Sequence, residues 1–240
     1  MKPYVCLAAL VIVVSAFAQN VPPGTNMAAY PAPRADRVQR VKANNERAHQ
    51  QASSIKLVFD GDSITDRWQG NGKEVWAQRY DKLGAFDFGI GGDRTQHVLW
   101  RLAQGQMDGL KPKLVVLMIG TNNIGSNTNE QIAEGITAIV NEYRKRCPDA
   151  VILLQAIFPR SETTNSGMRG KIKAINAIIS KLHDGKKIIY ADFGDKFLNA
   201  DGTMSPEVMP DFLHPSAKGY KIWADAIQPI IDTYFPTKRS

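Results

Sequence analysis

Four short stretches of this chain hold residue types that perform acyl chemistry when brought together. They are Gly61-Asp62-Ser63, Gly89-Ile90-Gly91-Gly92-Asp93, Gly120-Thr121-Asn122-Asn123 and Asp211-Phe212-Leu213-His214. Among them are a hydroxyl that can attack a carbonyl and an imidazole that can take its proton. A carboxylate to orient the imidazole, and glycine and amide groups to bind an oxyanion, are there too. Each stretch alone has a plainer reading. Asp and Ser are common helix caps. The glycine stretch suits a tight turn or a phosphate-cradling loop, although it lacks the full GxGxxG spacing of a dinucleotide site. Asn122-Asn123 suits a turn held by side-chain-to-backbone bonds. Asp211 and His214 suit an ordinary polar loop. They become one candidate site through the elements that precede them.

Residues 55–59 read as a strand that runs out at Asp60-Gly61-Asp62-Ser63. A short strand at 85–88 ends at the glycine stretch. Residues 114–119 are wholly apolar, as in a parallel strand buried on both faces, and end at Gly120. Further strands are expected at 151–154 and 187–190. Residues 73–82, 94–104, 129–146 and 168–183 read as helices; in the third, Ile132, Ile136, Ile139, Val140 and Tyr143 fall at helical spacing. A last helix is expected over about 216–234, broken near Pro229. This alternation predicts an α/β fold, a three-layer flavodoxin-like sandwich with a five-stranded parallel sheet. Ligands of such sheets bind outside the carboxyl ends of the strands, which is where the candidate residues fall.

The chain has 240 residues, 43% hydrophobic and 22% charged. That is enough for one well-filled core with no disulfide or metal staple. Lys2, the apolar run 5–14 and Ser15-Ala16-Phe17-Ala18 read as a signal peptide cut after Ala18, so a secreted or periplasmic protein is expected. The run is short for the roughly 20 residues of a spanning helix, so no stable membrane insertion is expected after cleavage; an uncleaved anchor is the other reading. Removing residues 1–18 takes Lys2 and no acid, lowering the net charge from +7 to +6. It also leaves Cys147 as the one cysteine, a structural thiol with no partner for a disulfide. The basic residues are spread along the chain, as on a solvated surface, and nucleic-acid binding is not expected. Residues 19–54 read as an N-terminal extension before an α/β domain at 55–240. In the extension, 19–33 look irregular, and 34–52 look helical with Val38 and Val41 touching the body and the rest solvated. His49, His97 and His183 have structural readings, the last near a helix end where it can meet the carbonyl dipole. No HExxH, CxxC or carboxylate cluster implies a metal or cofactor.

The four stretches taken in order resemble the blocks of the SGNH (GDSL-type) hydrolase superfamily. The segment from Phe88 to Thr95, continuing through His97-Val98-Leu99-Trp100-Arg101-Leu102, is similar to the brain-type platelet-activating-factor acetylhydrolase alpha-subunit branch. So is Asp211-Phe212-Leu213-His214 before Gly219-Tyr220. The resemblance covers about residues 55–235. It implies Ser63 as nucleophile, His214 as base and Asp211 as orienting acid. It also implies an oxyanion hole of the Ser63 and Gly92 amides and the Asn122 side chain. Ile64, Thr121 and Leu213 match positions that narrow the acyl pocket in that branch, which implies a short, acetyl-like acyl group; plain packing is the alternative. Arg160 is placed to reach a substrate hydroxyl or acid, or else is a surface cation. Those alpha subunits are intracellular dimers. The export signal therefore departs from the branch and shifts the expected substrate toward acetylated carbohydrate or another small ester, and the dimer is a weak hint of a homodimer here. A lysophospholipase- or thioesterase-like lipid esterase, and a silent SGNH fold used as a binding module, stay open.

Overall fold

The computed structural model describes residues 21–236, so the signal-peptide reading lies outside the described residues. Five strands form one parallel sheet: β1 Leu57–Gly61, β2 Ala85–Asp87, β3 Leu114–Met118, β4 Val151–Gln155 and β5 Ile188–Ala191, in the order β2-β1-β3-β4-β5. The helices are α1 Val38–Gln50, α2 Ser63–Asp66, α3 Lys73–Arg79, α4 Thr95–Ala103, α5 Asn129–Arg146, α6 Gly167–Ile179 and α7 Ala217–Tyr234. Because β1 lies between β2 and β3, the chain leaves it in one direction and returns on its other side. That reversal opens a crevice at the carboxyl ends of β1 and β3, where this class of sheet binds ligands.

Alternate strand residues feed two cores. Val58, Val115, Leu117, Ile152 and Leu154 pack with Leu99 and Leu102 of α4, Ile132, Ile136 and Ile139 of α5 and Ile175 of α6. Leu57, Phe59, Val116 and Leu153 pack on the other face with Trp76, Tyr80, and Tyr220, Trp223 and Ile227 of α7. The result is the expected three-layer α/β sandwich. Among the described residues no helix is long and apolar enough to cross a membrane.

Three local expectations need correction. Strand β1 begins and ends two residues later than 55–59, because Ile55 closes the turn after α1 (its N–H donates to Gln51 O), while Asp60 and Gly61 stay in register with Leu117 and Met118. Helix α7 is unbroken: Pro229 lies on its exposed face, where water can take the carbonyl that lost its donor. The extension is also more embedded than a solvated helix. Asn44, Asn45 and Ala48 are buried beside Val41 in α1. Upstream, Ala28 is fully buried, and its carbonyl accepts from Thr95 Oγ1 at 2.7 Å. A Cβ on Gly135 of α5 would come within 2.4 Å of that same carbonyl, so glycine there lets the extension lie directly on the helix.

Candidate active site

Ser63 is the first residue of α2, at the end of β1. Asp62 caps that turn, accepting from the Ile64 amide at 2.9 Å. The cap and the candidate nucleophile are thus neighbours in one turn, and capping by Asp62 leaves the Ser63 hydroxyl unused by the cap. Asp62 is buried, and burial pushes its carboxyl up to about 7, opposed mainly by the Ile64 amide. Gly61 is required by close approach: a Cβ there would sit 2.3 Å from both Met118 O and Thr65 Oγ1. The Tyr220 hydroxyl donates to Ile64 O at 2.6 Å and ties α2 to α7.

The loop before α7 brings the other side of the site. Ser63 Oγ lies 2.8 Å from His214 Nε2, and His214 Nδ1 lies 2.6 Å from Asp211 Oδ2. Asp211 Oδ1 also accepts the backbone amides of Leu213 and His214, at 3.2 and 2.7 Å. That local turn puts Phe212 in the left-handed region, at φ 55°. Burial works against ionisation of Asp211. The hydrogen bonds from the His214 ring and amide outweigh it and hold the carboxyl below the usual carboxylate range.

Gly92 has φ 82°, a conformation that favours glycine, and follows Gly91 at the rim beside Ser63. Asn122 is half-buried and gives one N–H to Asp93 O at 2.8 Å. Its neighbour Asn123 is fully buried and structural, accepting from the Thr95 amide at 3.0 Å. Of the expected acyl-pocket residues, Ile64 and Thr121 are almost wholly covered, and Leu213 packs on the same core as Ile64. Arg160 reaches the rim, its Nη1 3.3 Å from Thr121 Oγ1.

The remaining histidines are structural. His97 accepts the Arg94 amide at 2.9 Å, and burial with the nearby Arg34, Arg94 and Arg101 pushes its ring down to about 3. His49 Nε2 bonds Gly105 O at 3.0 Å. The His183 ring is turned to the Tyr190 amide, which it accepts at 3.0 Å, and only its backbone N–H meets a helix carbonyl, that of Ser180. Burial pushes the Cys147 thiol up to about 11, in keeping with an inert structural cysteine. Among the described residues no cluster of three His, Cys, Asp or Glu side chains is arranged to hold a metal ion. Cavities of about 580 and 740 Å³ lie beside α6 and at the amino ends of β3 and β4. Neither is lined by Ser63 or His214, so size does not mark the chemistry here.

Beneath the rim lies a buried polar cluster that the sequence reading does not foresee. Arg101 donates through Nη2 to Asp60 Oδ1 at 2.8 Å and through Nε to Asp93 Oδ2 at 2.9 Å. Gln106 Nε2 bonds Asp60 Oδ2 at 2.8 Å, and the Tyr143 hydroxyl donates to the same oxygen. Burial opposes the Arg101 charge, but the two carboxylates outweigh it and keep the guanidinium ionised. The cluster joins the end of β1, which carries Ser63, to the loop that carries Gly92. Asp93 and Arg101 both stand in the segment already singled out, yet their pairing across a fold is not visible from spacing.

The chain matches the GDSL-like Lipase/Acylhydrolase family over residues 59–222. It is 39% identical over 166 residues to platelet-activating factor acetylhydrolase IB subunit alpha1 of Bos taurus and of Homo sapiens, covering 69% of this chain and 70% of each relative. Among solved structures it resembles a GDSL-like lipase from Bacteroides thetaiotaomicron (TM-score 0.64, 22% identity, 80% of this chain and 98% of that one). It also resembles a catalytic mutant of an acetylxylan esterase from Geobacillus stearothermophilus (TM-score 0.61, 20% identity, 74% and 94%). At those identities the structural likenesses speak for the fold. The family match and the relatives at 39% identity go further, and by them the chain belongs to the GDSL-like (SGNH) lipase/acylhydrolase family and is a carboxylic ester hydrolase.

Proposed function

We propose that the protein is a secreted serine esterase that removes acetyl or similarly short acyl groups from carbohydrate or another small acetylated substrate. The observation that carries this reading is the unbroken hydrogen-bond line from Ser63 Oγ through the His214 ring to Asp211. Ser63 Oγ attacks the ester carbonyl carbon as His214 Nε2 takes its proton. Negative charge on the carbonyl oxygen is received by the Ser63 and Gly92 amides and the free N–H of Asn122. The tetrahedral intermediate collapses, the alkoxide leaves with the proton from His214, and the acyl group stays on Ser63. Water, deprotonated by His214, then attacks the acyl-enzyme; the carboxylic acid departs and Ser63 regains its proton. Asp211 holds the ring tautomer and stabilises the imidazolium formed twice in the cycle.

The acetyl preference draws on the acetylhydrolase relatives and on the acetylxylan esterase neighbour, with Ile64 next to Ser63 and Thr121 next to Asn122 as the residues expected to bound the acyl group. p-Nitrophenyl acetate is expected to be turned over much faster than p-nitrophenyl octanoate; equal kcat/KM on the two would dismiss the short-acyl reading. Asn122→Ala is expected to lower kcat by about 100-fold or more, the scale of one oxyanion donor. A change confined to KM would argue against that role. The reading as a whole is tested by screening acetylated sugars, xylan and short-chain phospholipids before and after a fluorophosphonate probe. Turnover of the carbohydrate esters, blocked by the probe, is the expected result. Turnover of lipid alone would transfer the assignment to a lipid esterase, and no labelling would leave a binding module.

A further inference from the structure

The loop that presents Gly92 has glycine at three of its four positions from 89 to 92, so it has little stiffness of its own. The Asp93 amide donates to Ile90 O at 3.0 Å and closes a turn over Gly91-Gly92, and further contacts hold that turn from outside. Arg34 Nη1 donates to Gly91 O at 2.7 Å, and the Gly91 amide donates to Asp66 Oδ2 at 2.9 Å. Asp66 is in turn ion-paired with Arg40, whose Nη1 lies 3.1 Å from Oδ2. Both arginines come from the N-terminal extension, outside the stretch 59–222 that matches the family. The Arg34 guanidinium lies directly against Gly92, where a Cβ would come within 2.9 Å of Nη1. Its other partners are Asp93 Oδ1 at 3.4 Å and Asp36 Oδ2 at 3.2 Å.

A trans peptide carries its C=O and N–H on opposite edges of one plane. Holding Gly91 O therefore sets the direction of the Gly92 N–H. A cationic donor on that oxygen also polarises the peptide and strengthens the N–H as a donor. We propose that Arg34 is a positioning residue for ester hydrolysis: from the N-terminal extension it orients and polarises the Gly91–Gly92 peptide, so that the Gly92 amide meets the oxyanion. The inference rests on the proposed role of Gly92 in the oxyanion hole. It makes the extension a working part of the site, with Arg34 touching neither substrate nor reacting atoms.

The test is steady-state kinetics of the full chain on p-nitrophenyl acetate. Arg34→Met keeps the packing of the side-chain stem and removes every donor. It is expected to lower kcat by about 10-fold or more with KM and melting temperature nearly unchanged, since a donor is misaimed rather than deleted. Ethylguanidine at millimolar concentration is expected to restore part of the lost kcat in Arg34→Ala, which a purely structural loss would not show. A wild-type kcat in either folded variant overturns the proposal, and so does a loss expressed in KM alone. Failure of the underlying reading looks different: Ser63→Ala would then retain activity. Inactive Ser63→Ala and impaired Asn122→Ala beside a fully active Arg34→Met would remove the Arg34 proposal and leave the esterase reading in place.

Discussion

Ser63→Ala is expected to lower kcat on p-nitrophenyl acetate by at least about 10⁴-fold, the scale seen when a triad member is removed. The protein should remain folded. Ser63 Oγ makes one side-chain hydrogen bond, to His214 Nε2. Losing such a bond costs about 1 kcal/mol, a shift of roughly 2–4 °C in melting temperature for a chain of this size. Kinetics and thermal unfolding on the same sample separate chemistry from folding. Wild-type turnover in the folded variant would end the Ser63 assignment. A modest fall would point to another nucleophile, and none of the remaining hydroxyls described here lies against His214.

The largest stability effect is expected at Arg101. Arg101→Met would leave Asp60 and Asp93 buried with their main counter-charge gone; the pair is 0% and 1% exposed. Breaking a buried ion pair from one side costs about 3–5 kcal/mol. Urea unfolding should show it as a lower midpoint at an unchanged slope. Arg101→Lys is expected to recover little, because one ammonium cannot reproduce the fork that spans both carboxylates. Because Asp60 and Asp93 sit under Ser63 and Gly92, kcat should fall in the same variants even below their melting range. An unfolding free energy within about 1 kcal/mol of wild type would show that the cluster is not what holds the two halves of the rim together.

The fold was legible because a doubly covered parallel sheet writes itself as uninterrupted apolar runs. Leu114 to Met118 and Val151 to Leu154 are such runs, of strand length and rich in β-branched residues or followed by turn residues. Strand ends were less legible where a charge enters the interior. Asp60 reads as the start of a loop, yet it is a strand residue at 0% exposure, and Arg101, 41 positions later, makes that tenable together with Gln106 and Tyr143. The candidate catalytic residues were legible because each stands in a short block of distinctive types. Arg34 and Arg40 were not. They sit among polar residues whose spacing suggests a solvated helix, and their partners are a backbone carbonyl and an acid on the far side of Ser63. Hydropathy carries no record of such contacts. Pro229 misled for a related reason: the rule that proline breaks helices presumes a freed carbonyl with no other donor, and its exposed position lets water donate to it.

Ser63 and His214 are 151 positions apart, one near each end of the folded body. During synthesis the hydroxyl emerges long before the imidazole that would activate it, and well over half of the sheet must form in between. With Ser63 and His214 in the proposed roles, a nascent, truncated or half-folded chain would have no hydrolytic machinery to release among the esters of the cell that makes it. On the proposed triad, competence arrives only with the closing loop before the last helix, so enzymatic activity would itself be a certificate of finished folding.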